Sequence, residues 1–176
     1  MAVKSKFTSD FNAAAISVLV ARAAQETVEF LSGSLQDYII ERFSEDKSGE
    51  RYWIRELAKY YDSSAPGEYP AIKLGTLKRS MGVEPVEAPG TFTHLMGPRR
   101  LEGVINYKLT PEPGKVPRPG ARTNHDVPND PYYASYLEEE RMRPYFSRAA
   151  DETDAKRPDH AANQFVAAFM RFSEVK

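Results

Sequence analysis

The sequence predicts an α+β fold: a small antiparallel β-sheet packed by a long N-terminal helix and a C-terminal helix, with a long Pro-rich loop. Three observations predict it. Apolar residues recur at helical spacing over the first quarter of the chain, strand-like alternation takes over from Met81, and helical spacing returns after Pro158. No βαβ unit and no internal repeat interrupts this order, and 176 residues suit a single domain spanning 1–176.

Ser9 or Asp10 is expected to cap the first helix by accepting a hydrogen bond from an otherwise unpaired amide. From there Ile16, Val20, Ala24, Val28, Leu31, Leu35, Ile39 and Phe43 recur at steps of three or four and form one face of a long helix. Ser32-Gly33-Ser34 should kink or break it, since a helical Gly costs about 1 kcal/mol against Ala. Asp46 to Gly49 ends the region. Trp53, Ile54, Leu57 and Tyr60 or Tyr61 then suggest a second, short amphipathic turn, and Ser63 to Pro70 a loop.

Met81 to Glu87, Thr91 to Met96 and Leu101 to Leu109 are rich in strand formers and predict a three-stranded meander, with turns at Ala88-Pro89-Gly90 and Gly97-Pro98. Pro85 places the first strand at an edge or a bulge, because proline has no amide to give the ladder. Residues 111–130 hold five prolines and two glycines with almost nothing to bury, and predict an extended arm. Tyr132 to Glu140 is a short aromatic and acidic segment. Arg143-Pro144 prepares a helix start, Pro158 interrupts, and Ala161, Ala162, Phe165, Ala168, Phe169 and Phe172 make the apolar face of a last helix.

Composition excludes several function classes. With no cysteine there are neither disulfides nor thiolate metal sites. Lys plus Arg number 24 against 25 Asp plus Glu, so any DNA contact must be local. The most apolar stretch, Ala13 to Ala24, is broken by Ser17 and Arg22 and falls short of the roughly 20 residues that span a bilayer, so no membrane role is expected. Lys4 and Lys6 precede an amphipathic helix rather than the cleavage site of a signal peptide.

Catalytic patterns are weak. His94, His125 and His160 stand singly, outside any zinc-binding spacing, and a His125–Asp126 pair reads as a solvated loop pair. Gly75-Thr76-Leu77-Lys78 lacks the earlier glycine of a nucleotide-binding loop. Glu138-Glu139-Glu140 offers hard oxygen ligands to a divalent cation, but a solvated or interface face explains the run more simply. No cofactor, no metal and no enzymatic activity is expected. Basic residues gather weakly at Lys78-Arg79, at Arg99-Arg100 and in the arm at Lys115, Arg118 and Arg122, where each could touch phosphate, with scattered surface charge as the plainer explanation. Tyr132, Tyr133 and Tyr136 suit an interface and a core equally.

Two separated stretches resemble a known family. Ala65-Pro66 followed by Leu74-Gly75-Thr76-Leu77-Lys78-Arg79-Ser80-Met81 resembles the signature of the neck and tail-completion (tail-terminator-like) structural proteins of long-tailed bacteriophages. Tyr133-Ala134-Ser135-Tyr136-Leu137-Glu138 and Arg143-Pro144-Tyr145-Phe146-Ser147-Arg148-Ala149-Ala150 are similar to two later blocks of that family, in the same order. Leu74 stands where Thr is usual, Glu139-Glu140 replaces a Gly-Thr, and the Pro-rich arm looks like an insertion. The resemblance implies a virion protein made in the bacterial cytoplasm, forming a ring, most often a hexamer, at the head-tail junction, where it joins or terminates the tail. Its implied partners are other copies of the chain, connector or adaptor proteins and tail-tube proteins, with passing contact to DNA.

Gly75, Leu77, Ser80, Ala134, Pro144 and Phe146 are the structural positions of those motifs. Lys115, Arg118, Arg122, Tyr132, Tyr133, Tyr136, Glu138 and Arg143 are the expected contacts to subunits or partners, with Glu138 and Arg143 able to pair within or between subunits. The alternative function is a small nucleic-acid-binding module that uses the Arg-containing loop.

Overall fold

The computed structural model describes residues 13–88, 91–128, 134–139 and 144–174, and they form an α+β fold. Helix α1, Ala13–Phe43, runs unbroken for 31 residues, and the expected cap at Ser9 or Asp10 lies outside the described residues. The break into two helices expected at Ser32-Gly33-Ser34 does not occur. Ser32 returns its hydroxyl to the Val28 carbonyl at 2.7 Å and lies 3.1 Å from His94 Nδ1, so packing across α1 offsets the weak propensity of one glycine.

The Trp53–Tyr61 region is a β-hairpin rather than a helical turn. Strands β1 (Arg51–Ile54) and β2 (Lys59–Asp62) are antiparallel, joined by a 3-10 turn, Arg55–Leu57. Trp53 meets Tyr60 edge-on at 5.0 Å and Tyr52 lies 6.1 Å from Tyr61, cross-strand aromatic pairs that stabilise a sheet and not a helix. Ala58 closes the turn at φ 48°, a left-handed position usually signalled by Gly or Asn.

Helix α2 (Thr76–Ser80) leads into a hairpin of β3 (Met81–Ala88) and β4 (Thr91–Pro98), in the register Met81 opposite Pro98. The Arg99 amide donates to the Ser80 carbonyl at 2.9 Å. Hydrogen-bonded pairs alternate along a ladder, so Pro85, opposite His94, sits where the backbone faces away from β4 and its missing N–H costs no ladder bond. The expected three-stranded meander does not form. Strand β5 (Val104–Lys108) pairs instead with β6 (Asn124–Pro128), from within the region expected to be an open arm. The result is three separate two-stranded sheets.

Helices α3 (Ala134–Glu139), α4 (Phe146–Asp154) and α5 (Arg157–Glu174) complete the chain. Pro158 lies in the first turn of α5, where its lack of an amide is harmless, so it opens the helix. Helix α5 runs antiparallel to α1: Gln164 and Arg171 both reach Glu26, and Arg22 lies over the Phe172 ring at 4.4 Å. Ala23 and Ala168 are fully buried along α1 and α5, whereas Val20, expected in the apolar stripe, is 41% exposed. The main core forms at the other end of α1, where Ile39 and Phe43 meet Tyr69, Leu77, Met81, Ala134, Tyr145 and Ala149.

A Cβ added at Gly33 meets no atom within 4 Å. Gly33→Ala is therefore expected to stabilise the fold by about 0.5–1 kcal/mol, read as a rise in melting temperature. A loss of stability would show that α1 needs the glycine.

Candidate assembly surface

Gly75 stands at the head of α2 with φ 78°, a conformation open to glycine and strained for other residues. A Cβ there would come within 2.9 Å of Arg79 Nη1, which itself donates to the Leu74 carbonyl at 3.0 Å. This turn drives Leu77 and Met81 into the core, and Ser80, fully buried, donates its hydroxyl to the Leu77 carbonyl at 2.8 Å. Gln36 of α1 holds the Met81 carbonyl at 2.8 Å, which fixes the start of β3 against the long helix.

Glu138, at the end of α3, accepts hydrogen bonds from the amides of Tyr145, Phe146 and Ser147 at 2.7, 3.1 and 2.9 Å and from the Ser147 hydroxyl at 2.6 Å. These are amides at the start of α4, which lack partners within the helix, and a carboxylate is the charge that the positive end of a helix favours. Burial pushes the Glu138 carboxyl up, but the Ser147 hydroxyl and the three amides outweigh it and hold its pKa below the ordinary value. Its expected partner Arg143 lies outside the described residues. Ala134 is buried in the main core, Phe146 packs against that core and Pro144 is half-buried.

A second carboxylate, which sequence reasoning missed, ties α4 to α1. Glu152 accepts from the Tyr38 hydroxyl at 2.7 Å, the Tyr69 hydroxyl at 2.8 Å and Arg148 Nε at 2.7 Å, and Arg42 donates to the Tyr38 oxygen at 2.7 Å. Burial works against the charge of Glu152, yet the hydrogen bonds from Tyr38, Arg148 and Tyr69 prevail and place its pKa at about 2. Burial, with the bond to Glu152, raises the Tyr69 phenol in turn. The signal available in the sequence was the spacing of four between Arg148 and Glu152.

The loop 109–123 is held at its base rather than free. The Leu109 amide donates to the Thr123 carbonyl at 2.7 Å, the Thr110 amide to the Arg55 carbonyl at 2.9 Å, and Trp53 Nε1 to the Thr110 carbonyl at 3.2 Å. Two internal turns shape it: Lys115 to Glu112 around Gly114, and Ala121 to Arg118 around Gly120, with both glycines at positive φ. Lys115, Arg118 and Arg122 are exposed and line one cavity of about 710 Å3 together with Arg55, which sequence reasoning did not single out. Lys115 also pairs with Glu112.

The structure thus separates the expected site residues into two groups. Gly75, Leu77, Ser80, Ala134, Phe146 and Glu138 converge on the core around the start of β3, whereas the three loop cations stand apart on the surface. Tyr132, Tyr133 and Arg143 lie outside the described residues, as does the side chain of Tyr136. His94 meets Ser32, His160 borders a groove between α1 and the α4–α5 junction, and Asp126 accepts from Asn106 at 2.6 Å. Among the described residues no group of three His, Asp or Glu side chains is placed to hold a metal ion, and no helix is long and apolar enough to cross a membrane. Comparison of the chain with protein-family models, with curated proteins and with solved structures found no match.

Glu138→Ala leaves the first amides of α4 without their acceptor and is expected to cost about 1–2 kcal/mol, measured by chemical denaturation. An unchanged midpoint would show that the carboxylate is dispensable. Because Glu152 titrates at about 2 when folded and at 4.5 ordinarily, its charge stabilises the fold above pH 4.5, and that contribution disappears as pH falls through this interval. Glu152→Gln should therefore lower stability at neutral pH and flatten the acid limb of the stability profile.

Proposed function

We propose that the protein is a structural component of a tailed-phage virion that assembles into a ring at the head-tail junction and there joins or terminates the tail. The observation that supports this reading is the convergence of the blocks that carry the family resemblance. Leu77 and Met81 from the first block, Ala134 from the second and Tyr145 and Ala149 from the third pack in one core, and Glu138 binds the second block to the third. Motifs separated by more than fifty residues thereby serve one structural purpose, as expected of a signature that specifies a fold rather than a reaction.

The exposed surface favours association. Leu95, Val104 and Val116 are 66%, 62% and 90% exposed on the strands and the loop. Ring closure needs two different patches that meet head to tail, and strand edges together with the 109–123 loop offer such patches. In this reading the loop and Tyr132, Tyr133 and Tyr136 reach a neighbouring subunit or an adjacent ring, and Arg143 belongs to the same contact.

Native mass spectrometry of the protein, alone and mixed with connector and tail-tube proteins, is expected to show one closed oligomer that forms with rising concentration or on mixing. Replacing 111–122 by a short turn should preserve the circular dichroism spectrum, because the loop closes between paired backbone groups of Leu109 and Thr123, while abolishing that oligomer. A chain that stays monomeric in every mixture, or a shortened variant that assembles normally, sinks the proposal.

A further inference from the structure

Arg55 and the three loop cations come from parts of the chain far apart in sequence, yet the fold brings them to one concavity. Arg55 belongs to the turn between β1 and β2, and its carbonyl receives the Thr110 amide, so the backbone that carries Arg55 is fastened to the loop that carries Lys115, Arg118 and Arg122. Trp53 adds a second fastening through the Thr110 carbonyl. The turns at Gly114 and Gly120, with Pro111 and Pro117 between the fixed ends, stiffen the lining, so little loop entropy remains to be lost on binding. Among the described residues the one carboxylate of the lining, Glu112, is matched by Lys115. Among the described residues, Arg55, Arg118 and Arg122 have no carboxylate partner. The concavity is therefore lined by three arginines without a carboxylate partner among the described residues, on a chain whose formal net charge is −1.

We propose that this concavity is a binding site for the phosphodiester backbone of nucleic acid, with Arg55, Arg118 and Arg122 as its phosphate contacts. Guanidinium forks match phosphate oxygens in two-bond geometry, and three of them in one lining engage several oxyanions at once, which an unbroken row of phosphates supplies. Among the described residues the lining contains no aromatic ring on which a base could stack. Recognition is therefore electrostatic, indifferent to sequence and strongly dependent on salt. The site goes beyond the ring reading and does not depend on it: a monomer would bind in the same way, and a ring would present one such site per subunit.

The test is fluorescence anisotropy of the full chain with labelled double-stranded and single-stranded DNA of random sequence, over a salt series. Binding at low salt is expected, with affinity falling on a log-log salt plot by about 0.9 for each phosphate contact on duplex DNA. The triple variant Arg55→Ala, Arg118→Ala, Arg122→Ala removes exposed side chains only, and its fold is checked by circular dichroism. It should lose at least tenfold in affinity at low salt and reduce the duplex slope by about 2.7. Three results would each overturn the proposal: no DNA binding by the parent chain, equal binding by the triple variant, or a polyglutamate peptide competing as well as DNA, which would assign the site to an acidic protein segment. A monomeric chain that binds DNA through these three residues would remove the ring reading and keep this one.

Discussion

Helix α4 is nine residues long and could not persist alone in water, so the core depends on what holds it. Its first amides close on the Glu138 carboxylate, its middle buries Ala149 against Ile39 and Phe43 of α1, and Glu152 near its end gathers Tyr38, Tyr69 and Arg148. Tyr145, just before the helix, meets Phe43 edge-on at 5.5 Å. A short helix fixed at both ends and packed at its centre becomes a rigid strut between α3 and α1. Both carboxylates stay charged despite partial burial, because each has several donors aimed at it.

The strut also determines what the sheets can do. A two-stranded sheet is marginal in water unless a face is covered. β3 and β4 gain that cover from α1, through Gln36 at the Met81 carbonyl, Ser32 at His94, and Met96 against the main core. Their fixed position follows from the same end of α1 that receives α4. β1–β2 and β5–β6 instead support one another through the Arg55–Thr110 and Trp53–Thr110 hydrogen bonds. Tyr107 links the second hairpin to the Leu74 carbonyl at 3.3 Å, the residue before Gly75. The conformation of Gly75 therefore bears on both the core and the placement of the loop.

What the sequence disclosed follows from the range of the forces involved. Periodicity over many residues marked α1 and α5, and the alternation after Met81 marked β3, β4 and β5, because those elements bury a regular face. Gly75, Leu77, Ser80 and Ala134 were singled out in the sequence, and in the fold Gly75 takes a positive φ while Leu77, Ser80 and Ala134 are buried. The β1–β2 hairpin was not legible, since its turn uses Ala58 at positive φ and its aromatic pairs fit a helical spacing equally well. Strand pairing was misjudged because period-two alternation identifies a strand without naming its partner. β6, Asn124–Pro128, shows no apolar alternation at all. The Glu152 cluster escaped because Tyr38, Tyr69 and Glu152 are joined only by tertiary folding.

The loop shows how one segment can be poor in core residues and still well defined. Proline and glycine at 111–120 were read as marks of an open arm, because nothing there can be buried. Those same residues define two tight turns, and the backbone of β5 and β6 closes the loop as the connection of a hairpin. An arm that swings freely would lose much conformational entropy on docking, whereas a hairpin loop fastened at Arg55 and Thr110 has already lost it. The backbone that carries its cations is consequently fixed before any partner arrives, and the side chains themselves stay exposed to water. Whichever surface meets this loop, complementarity of charge will decide how fast it engages, and the fastened backbone will decide how little is lost when it does.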